Sequence, residues 1–136
     1  MKKLAEMLHK KGFKATPQRL EIINYLMNTK SHPSAEEVYK NIKEKFPTIS
    51  FATVYNTLET LKKSGDIKEL SIDHERKRFD IDLSPHDHFF CKKCKKVIDI
   101  YEHKSLKKDL PDTIEGNIIE EISLFYIGIC ESCQKT

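Results

Sequence analysis

Apolar residues in the first half of the chain recur at helical spacing in several short segments. Leu4, Met7 and Leu8 share one face, which predicts a helix over residues 2–11. Thr16, Ser34 and Ser50 each precede a further apolar stripe and are expected to act as helix N-caps. The predicted stripes are Leu20, Ile23, Tyr25, Leu26 and Met27; Ala35, Val38, Tyr39 and Ile42; and Val54, Leu58 and Leu61.

The spacing changes from helical to alternating after Gly65. Ile67, Leu70 and Ile72 predict a short strand, and residues 73–76 form a polar turn. Residues 77–82 alternate polar and apolar side chains, as expected for a half-buried returning strand. Short helices followed by a two-stranded hairpin predict a winged helix-turn-helix domain over residues 1–82, with its recognition helix beginning at Ser50.

The second half, residues 83–136, predicts a small α/β domain, and the hinge is expected at about residues 80–86. The sequence predicts a strand at Val97–Ile100 and a brief helix over residues 103–110. It predicts one long apolar strand over residues 117–129. Few helices are available to cover that strand, so pairing with a second copy would bury it. The fold class predicted for the chain is therefore α+β, with a homodimer formed through the C-terminal domain.

Composition and charge narrow the class of protein. The chain has 136 residues with 38% hydrophobic content, and it lacks any apolar run long enough to span a bilayer. The first residues show no signal-peptide pattern, so a cytoplasmic location with no membrane partner is expected. Residues 1–82 carry 16 Lys or Arg against 12 Asp or Glu, a net charge of +4, whereas residues 83–136 have a net charge of −1. A basic first half favours a polyanionic partner such as double-stranded DNA.

The predicted recognition helix carries side chains suited to DNA. Thr53, Tyr55 and Asn56 lie off its apolar stripe, as do Phe51 and Thr57. Asn can hydrogen-bond to adenine, while Thr or Tyr can meet a thymine methyl group or a phosphate. Lys14 and Arg19, near the start of the preceding helix, are candidate phosphate or minor-groove contacts. An ordinary solvated helix face would show a similar mixture.

All four cysteines lie in the last third of the chain, in two Cys-x-x-Cys pairs: Cys91 with Cys94, and Cys130 with Cys133. A gap of two residues lets both thiolates of a pair bind one ion from a tight turn. Two such pairs in a reduced compartment predict a structural Zn(II) site. A redox dithiol, an iron–sulfur cluster or unrelated buried thiols are the alternatives.

A second group of candidate ligands carries nitrogen and oxygen. Asp80, His86, His88 and Asp99 lie within 20 residues of one another. His86 and His88, two positions apart, point to the same side if they lie in a strand. Imidazole and carboxylate suit Fe(II), Mn(II) or Zn(II), and a polar linker is the alternative. His32, in a loop before a predicted helix, has no tie to this group from spacing alone.

Several of these motifs together resemble the ferric uptake regulator family of bacterial metal-dependent repressors. The match runs over nearly the whole chain. Its markers are Lys14-Ala15-Thr16-Pro17-Gln18-Arg19, His32-Pro33-Ser34-Ala35-Glu36-Glu37-Val38-Tyr39, Ala52-Thr53-Val54-Tyr55-Asn56-Thr57-Leu58, Arg78-Phe79-Asp80, His86-Asp87-His88-Phe89-Phe90-Cys91-Lys92-Lys93-Cys94 and Cys130-x-x-Cys133.

The resemblance implies a DNA-binding repressor with structural zinc on the four cysteines. It implies a regulatory Fe(II) or Mn(II) ion, acting as corepressor, whose ligands are His32, Asp80, His86, His88 and Asp99. In the peroxide-sensing branch, iron-catalysed oxidation modifies ligand histidines, which here would be His32 and His86. One ion bound by both domains would favour the closed arrangement of the two DNA-binding domains.

A few positions help to distinguish the peroxide-sensing branch of the family from the iron-sensing one. Asp99 and Asn56 stand where iron-sensing relatives commonly carry Glu and Arg, and both favour peroxide sensing. Pro85 and Ile122 replace histidines of a further metal site, so a third site is not expected here although Asp87 is present. The alternative within the family is an iron- or zinc-uptake regulator without peroxide sensing.

Two further classes of protein are alternatives outside this family. A zinc-stabilised interaction module, or a hydrolytic metalloenzyme using His86 and His88, would be compatible with the same ligand types. The sequence contains no nucleophile motif and no Gly-rich phosphate loop. We therefore expect neither enzymatic activity nor a small-molecule organic substrate.

Overall fold

A computed structural model describes residues 14–84, 86–101, 111–122 and 124–135. The helices predicted over residues 2–11 and 103–110 lie outside the described residues, as does Pro85. The chain divides into two compact units, the first ending at Leu83 and the second beginning at Ser84. Helices and small sheets together confirm the α+β class.

The first unit contains three described helices, and each begins where the sequence predicted. They are α1 (Pro17–Asn28), α2 (Ala35–Lys45) and α3 (Phe51–Lys63). The hydroxyl groups of Thr16, Ser34 and Ser50 each accept a hydrogen bond from the backbone N–H three residues later, at 3.2, 3.2 and 3.1 Å. Each cap satisfies a backbone donor that would otherwise lack a partner within the helix.

The three helices pack their apolar faces into one core, whose most buried members include Ile22, Val38, Ile42, Val54 and Leu58. The predicted helix faces are wrong at particular positions. Met27 is 60% exposed, and Ile22, absent from the predicted stripe, is fully buried. Thr57, predicted to lie on the outer face of α3, is also buried, and its hydroxyl donates to the Thr53 carbonyl at 2.7 Å. That bond satisfies the hydroxyl within the helix, so its burial leaves no polar atom unpaired.

A short antiparallel hairpin follows the helices, formed by β1 (Lys68–Leu70) and β2 (Arg78–Asp80). The expected alternation of exposed and buried residues in the returning strand is wrong, because Arg78, Phe79 and Asp80 are all buried. The two charged residues tolerate burial because each has an oppositely charged or polar partner in this unit. Those partners belong to the candidate site.

The second unit is built around a three-stranded sheet. β3 (Asp87–Cys91) lies in the centre, antiparallel to β4 (Val97–Ile100) and parallel to β7 (Phe125–Gly128). β5 (Thr113–Ile114) and β6 (Asn117–Ile118) form a separate small hairpin. A single-turn helix, α4 (Glu131–Gln134), follows the sheet. The strand predicted at residues 97–100 is confirmed.

The single long strand predicted over residues 117–129 is wrong. Its first two residues pair with β5 across a turn in which Glu115 and Gly116 both have positive φ, 49° and 81°. Of the residues described in this segment, Phe125–Gly128 join the main sheet. Residues 119–122 have no strand assignment, and they include the adjacent charges Glu120 and Glu121. Apolar composition alone therefore overestimated the length of the strand.

Large apolar side chains stay exposed in the second unit. Within the described residues they are Tyr101, Ile114, Ile118, Ile127 and Ile129, and Ile118 is 81% exposed. The buried apolar residues of the same unit are few. No helix among the described residues has the length and apolar content needed to cross a membrane.

Candidate metal centres

The second unit brings the four cysteines together. Cys91 is the last residue of β3, Cys94 lies in the turn after it, and Cys130 and Cys133 lie at the start of α4 and within it. Their four sulfur atoms lie within 4.8 Å of one another. The parallel pairing of β3 with β7 explains this, because it aligns the end of β3 with the chain that enters α4.

The distances fit a tetrahedral ion. Four sulfur atoms about 2.3 Å from a zinc ion stand about 3.8 Å apart at tetrahedral angles. The Sγ atoms of Cys94 and Cys130 are 3.8 Å apart. Four sulfur ligands leave no open position, so the donor set is that of a structural rather than a catalytic zinc site.

Hydrogen bonds from backbone amides favour the ionised form of the Cys91 thiol. The N–H groups of Cys94 and Cys130 donate to Cys91 Sγ at 3.5 and 3.4 Å. These hydrogen bonds lower the pKa of the Cys91 thiol from 9.0 to about 6. Hydrogen bonding with Cys130, together with burial, raises the pKa of Cys133 to about 12. A bound cation would offset the repulsion among neighbouring thiolates and allow the remaining thiols to ionise.

A second donor set in the same unit crosses the β3–β4 pair. His88 and Asp99 are direct partners across the two strands, and His86 stands just before β3. The Nε2 atoms of His86 and His88 lie 3.2 and 3.5 Å from the same oxygen, Asp99 Oδ1. The imidazole rings of His86 and His88 lie side by side, with centroids 4.5 Å apart. Three possible metal ligands therefore converge within one unit.

Hydrogen bonding determines the tautomer of His86. Its Nδ1 lies 2.6 Å from the Ser84 carbonyl oxygen, which can only accept, so the proton is on Nδ1. In the neutral ring, Nε2 then directs a lone pair toward the Asp99 carboxylate. That arrangement suits a cation bound by both atoms, and a bond from Nδ1–H to a carbonyl is the usual support for a metal-binding histidine.

Tyr101 also contacts this donor set, and sequence reasoning missed it. Its hydroxyl donates to Asp99 Oδ2 at 3.4 Å, and its ring stacks on His86 with centroids 5.0 Å apart. The pattern offered no signal for this contact, because Tyr101 follows β4 as a single exposed aromatic residue.

The first unit holds a smaller donor pair. His32 Nδ1 lies 3.5 Å from Asp80 Oδ2, and both side chains are buried. The other oxygen of Asp80 accepts a hydrogen bond from the Asp82 amide at 2.9 Å. The backbone of His32 has a φ of 51°, in the left-handed region. The loop histidine and the strand aspartate are thus brought together within the first unit.

A buried ion pair lies beside His32, and it is the principal feature that sequence reasoning missed. The Arg78 guanidinium donates to Asp73 Oδ2 through Nε and Nη2, at 3.2 and 3.0 Å. Burial raises the pKa of Asp73, but hydrogen bonds from the Glu75 amide and from Arg78 outweigh it, so that the pKa lies below its ordinary 3.8. The only signal in the sequence was the position of Arg78 next to the apolar Phe79 in the predicted returning strand.

This ion pair predicts a pH dependence of stability. A lowered pKa means that the Asp73 carboxylate stabilises the fold fully above pH 3.8 and progressively less as the pH falls toward the folded pKa. We expect Asp73→Asn to reduce the free energy of unfolding by about 1.5–3 kcal/mol at neutral pH, the value of a hydrogen bond to a charged group. The difference from wild type should shrink as the pH falls below about 4.

Denaturant unfolding followed by far-UV circular dichroism, over a pH series, measures this difference. Glu75→Gln is the matched control, because that side chain is exposed and its backbone N–H still donates to Asp73. A difference between wild type and Asp73→Asn that stays constant from neutral pH into acid would contradict the assignment.

The five predicted DNA contacts all lie in the first unit. Tyr55 and Asn56 are exposed neighbours on α3. Thr53 is half-buried, and its hydroxyl lies 2.9 Å from that of Ser50, so it also belongs to the helix cap. Lys14 is exposed, and Arg19 Nη1 donates to the Lys14 carbonyl at 2.9 Å, which ties the chain before α1 to the helix.

A helical unit with exposed polar residues on α3, together with one sulfur donor set and further nitrogen–oxygen donors, is the combination found in metal-responsive DNA-binding regulators. The chain belongs to the ferric uptake regulator family, whose sequence model matches residues 10–124. Members of that family are transcriptional regulators rather than enzymes.

Individual relatives cover nearly the whole chain. The peroxide operon regulator of Bacillus subtilis is 37% identical over 136 residues, which is 99% of this chain and 94% of the relative. The structure of the Campylobacter jejuni peroxide stress regulator has a TM-score of 0.68 at 33% identity, covering 96% of this chain and 98% of that one. A Helicobacter pylori ferric uptake regulator, described as having three functional metal-binding sites, has a TM-score of 0.76 at 26% identity, covering 99% and 91%.

Proposed function

We propose that the protein is a metal-dependent transcriptional repressor that binds operator DNA as a homodimer and senses peroxide through a regulatory iron site. The observation that carries the proposal is the convergence of the His86 and His88 Nε2 atoms on Asp99 Oδ1. This donor set is distinct from the sulfur site, and its harder ligands suit Fe(II) or Mn(II). The B. subtilis relative is named as a peroxide operon regulator.

In this proposal residues 1–82, which lie within the first unit, are a winged-helix DNA-binding domain. The helix α3 would enter the major groove, where Tyr55 and Asn56 are exposed and Thr53 lies at the helix start. The β1–β2 hairpin would act as the wing. Lys14 and Arg19 would contact the DNA backbone, in keeping with the net charge of +4 over residues 1–82, from 16 basic and 12 acidic residues.

Residues 83–136, which include the second unit, would be the dimerisation domain, with the hinge at about residues 80–86. Zinc on Cys91, Cys94, Cys130 and Cys133 would stabilise a unit whose described part has few buried apolar side chains. Exposed Ile118 and Ile127 provide apolar surface that a second copy would cover. A two-fold dimer would present two recognition helices to a palindromic operator.

The switch would depend on one regulatory ion that takes ligands from both units. His32 and Asp80 supply two donors, and His86, His88 and Asp99 supply three. Neither group alone provides the five or six ligands that Fe(II) and Mn(II) commonly take, so an ion bound by all five would favour one arrangement of the units. DNA that selects the same arrangement would then bind more tightly when the ion is present, and the ion more tightly when DNA is present.

Peroxide sensing predicts a specific covalent change. Bound iron would supply the redox chemistry with hydrogen peroxide, and the ligand imidazoles of His32 and His86 are the expected targets. One oxygen atom of the peroxide is inserted into an imidazole C–H bond and the other leaves as water, so the peptide gains the mass of one oxygen atom. Mass spectrometry of peptides from iron-loaded, peroxide-treated protein measures this gain at His32 and His86.

Manganese-loaded protein is the control, because Mn(II) should fill the same site without supporting the oxidation. His74, exposed in the hairpin turn, is the internal control within the same digest. Peroxide treatment that leaves the His32 and His86 peptides unchanged, with DNA binding retained, would favour an iron- or zinc-uptake regulator instead.

A further inference from the structure

The strand β2 holds the segment containing His32 at three consecutive residues. The Arg78 Nη1 atom donates to the His32 carbonyl oxygen at 3.2 Å. The Phe79 amide donates to the Pro33 carbonyl at 3.0 Å. Asp80 then meets the His32 ring through its carboxylate. The main chain and the side chain of His32 are therefore both fixed by the same strand.

The backbone of His32 needs such support. A φ of 51° lies in the left-handed region, which few non-glycine residues adopt although histidine does so more readily than most, and it persists where surrounding contacts determine it. Arg78 donates to the carbonyl oxygen of this same residue. The segment has no regular secondary structure that would otherwise hold it.

Arg78 is itself fixed by Asp73. Two of its N–H groups donate to Asp73 Oδ2, while Asp73 Oδ1 accepts from the Glu75 amide at 2.9 Å. A guanidinium presents its donors in one rigid plane, so binding Asp73 on one edge directs Nη1 toward His32 on another. Both side chains are buried, at 6% and 2% exposure, which limits competition from water.

We propose that Arg78 is a positioning residue for the regulatory metal: anchored by Asp73, it holds the His32 main chain so that the imidazole is presented beside Asp80. The proposal rests on the proposed function, in which His32 is a ligand of that metal. Hydrogen bonds that orient a metal ligand contribute to affinity although they do not touch the ion, and their loss typically weakens binding by about 10- to 100-fold.

The test compares Mn(II) dissociation constants of full-length, zinc-replete variants. In Arg78→Lys the charge stays, but a single ammonium group replaces the planar fork that serves both Asp73 and the His32 carbonyl. We expect Mn(II) affinity to fall by about tenfold or more. Arg76→Lys is the matched control: Arg76 Nε lies 3.8 Å from the same Asp73 oxygen, yet the side chain is 40% exposed, and its replacement should leave Mn(II) affinity unchanged.

A purely structural role for Arg78 gives a different result. It would lower the melting temperature of the protein freed of regulatory metal, while the Mn(II) dissociation constant, measured well below that temperature, stays at the wild-type value. That combination would overturn the inference. A pair variant, Asp73→Asn with Arg78→Gln, removes both buried charges together and provides the same comparison if Arg78→Lys does not fold.

His32→Ala separates the inference from the function on which it rests. If His32→Ala weakens Mn(II) binding and the Arg78 variants do not, only the inference about Arg78 fails. If His32→Ala leaves Mn(II) affinity unchanged, the assignment of His32 as a ligand fails, and the inference fails with it.

Discussion

Replacing Cys94 with serine is expected to abolish zinc binding and to unfold the second unit. Serine does not provide the thiolate that a four-sulfur site requires, and structural zinc contributes about 10–16 kcal/mol in small zinc-binding domains. Among its described residues the second unit has few alternatives, because few apolar side chains there are buried and several large ones are exposed. The loss of one sulfur therefore removes the main stabilising interaction of the unit.

Metal analysis, thermal unfolding and sedimentation measure the three expected consequences: loss of zinc, early melting of the second unit and loss of the proposed dimer. Ser132→Ala is the matched control, since Ser132 is exposed between Cys130 and Cys133 and supplies no sulfur. A Cys94→Ser protein that remained a folded dimer with one zinc per chain would refute the structural role of the site.

Features set by a few neighbouring residues could be predicted from the sequence. Thr16, Ser34 and Ser50 cap the three helices as expected, because a cap needs only a hydroxyl and a backbone N–H three residues later. The two cysteine pairs could be predicted for the same reason, since the cysteines of each pair are only three positions apart. That the two pairs meet could be expected only from the chemistry of zinc, and the structure places their sulfur atoms together.

Features that depend on long-range pairing were less predictable. Arg78 and His32 are 46 positions apart, and nothing in the local pattern links an arginine in a strand to the carbonyl of a loop. The alternation of residues 77–82 even placed Arg78 on the solvent side. Burial of the Arg78 guanidinium is tolerated because Asp73, in the preceding turn, pairs with it. The two side chains meet only once the hairpin has folded.

The wrong strand over residues 117–129 has a related cause. Apolar content records how much surface a segment can bury, but it does not record the strand with which the segment pairs. Ile118 pairs with Thr113 in a small hairpin, whereas Phe125 pairs with His88 in the main sheet. The two ends of the segment therefore pair with different strands. Its exposed apolar side chains are the ones that the proposed dimer would bury.

Replacing His88 with alanine is expected to remove the metal dependence of DNA binding. His88 contributes one of the two imidazole nitrogens near Asp99 Oδ1, and its loss leaves the proposed site in the second unit with His86 and Asp99 alone. In wild type, coupling between metal and DNA should raise operator affinity by about 5- to 150-fold, the usual range for an allosteric effector. In His88→Ala the ratio of DNA affinities with and without Mn(II) should approach one.

The ratio, rather than the affinity, distinguishes a ligand from a residue that supports folding. Damage to the fold weakens DNA binding with and without metal, so it leaves the ratio largely unchanged, whereas loss of a ligand reduces the ratio itself. His74→Ala is the control: His74 is exposed in the hairpin turn, and its replacement can alter a DNA contact but should preserve the ratio. Fluorescence anisotropy with operator DNA, at fixed salt and with zinc content verified, measures both affinities. With Mn(II) just sufficient to saturate the wild-type protein, a His88→Ala protein that kept the wild-type ratio would exclude His88 from the regulatory site, because loss of a ligand lowers the affinity for metal and so the fraction of protein that carries the ion.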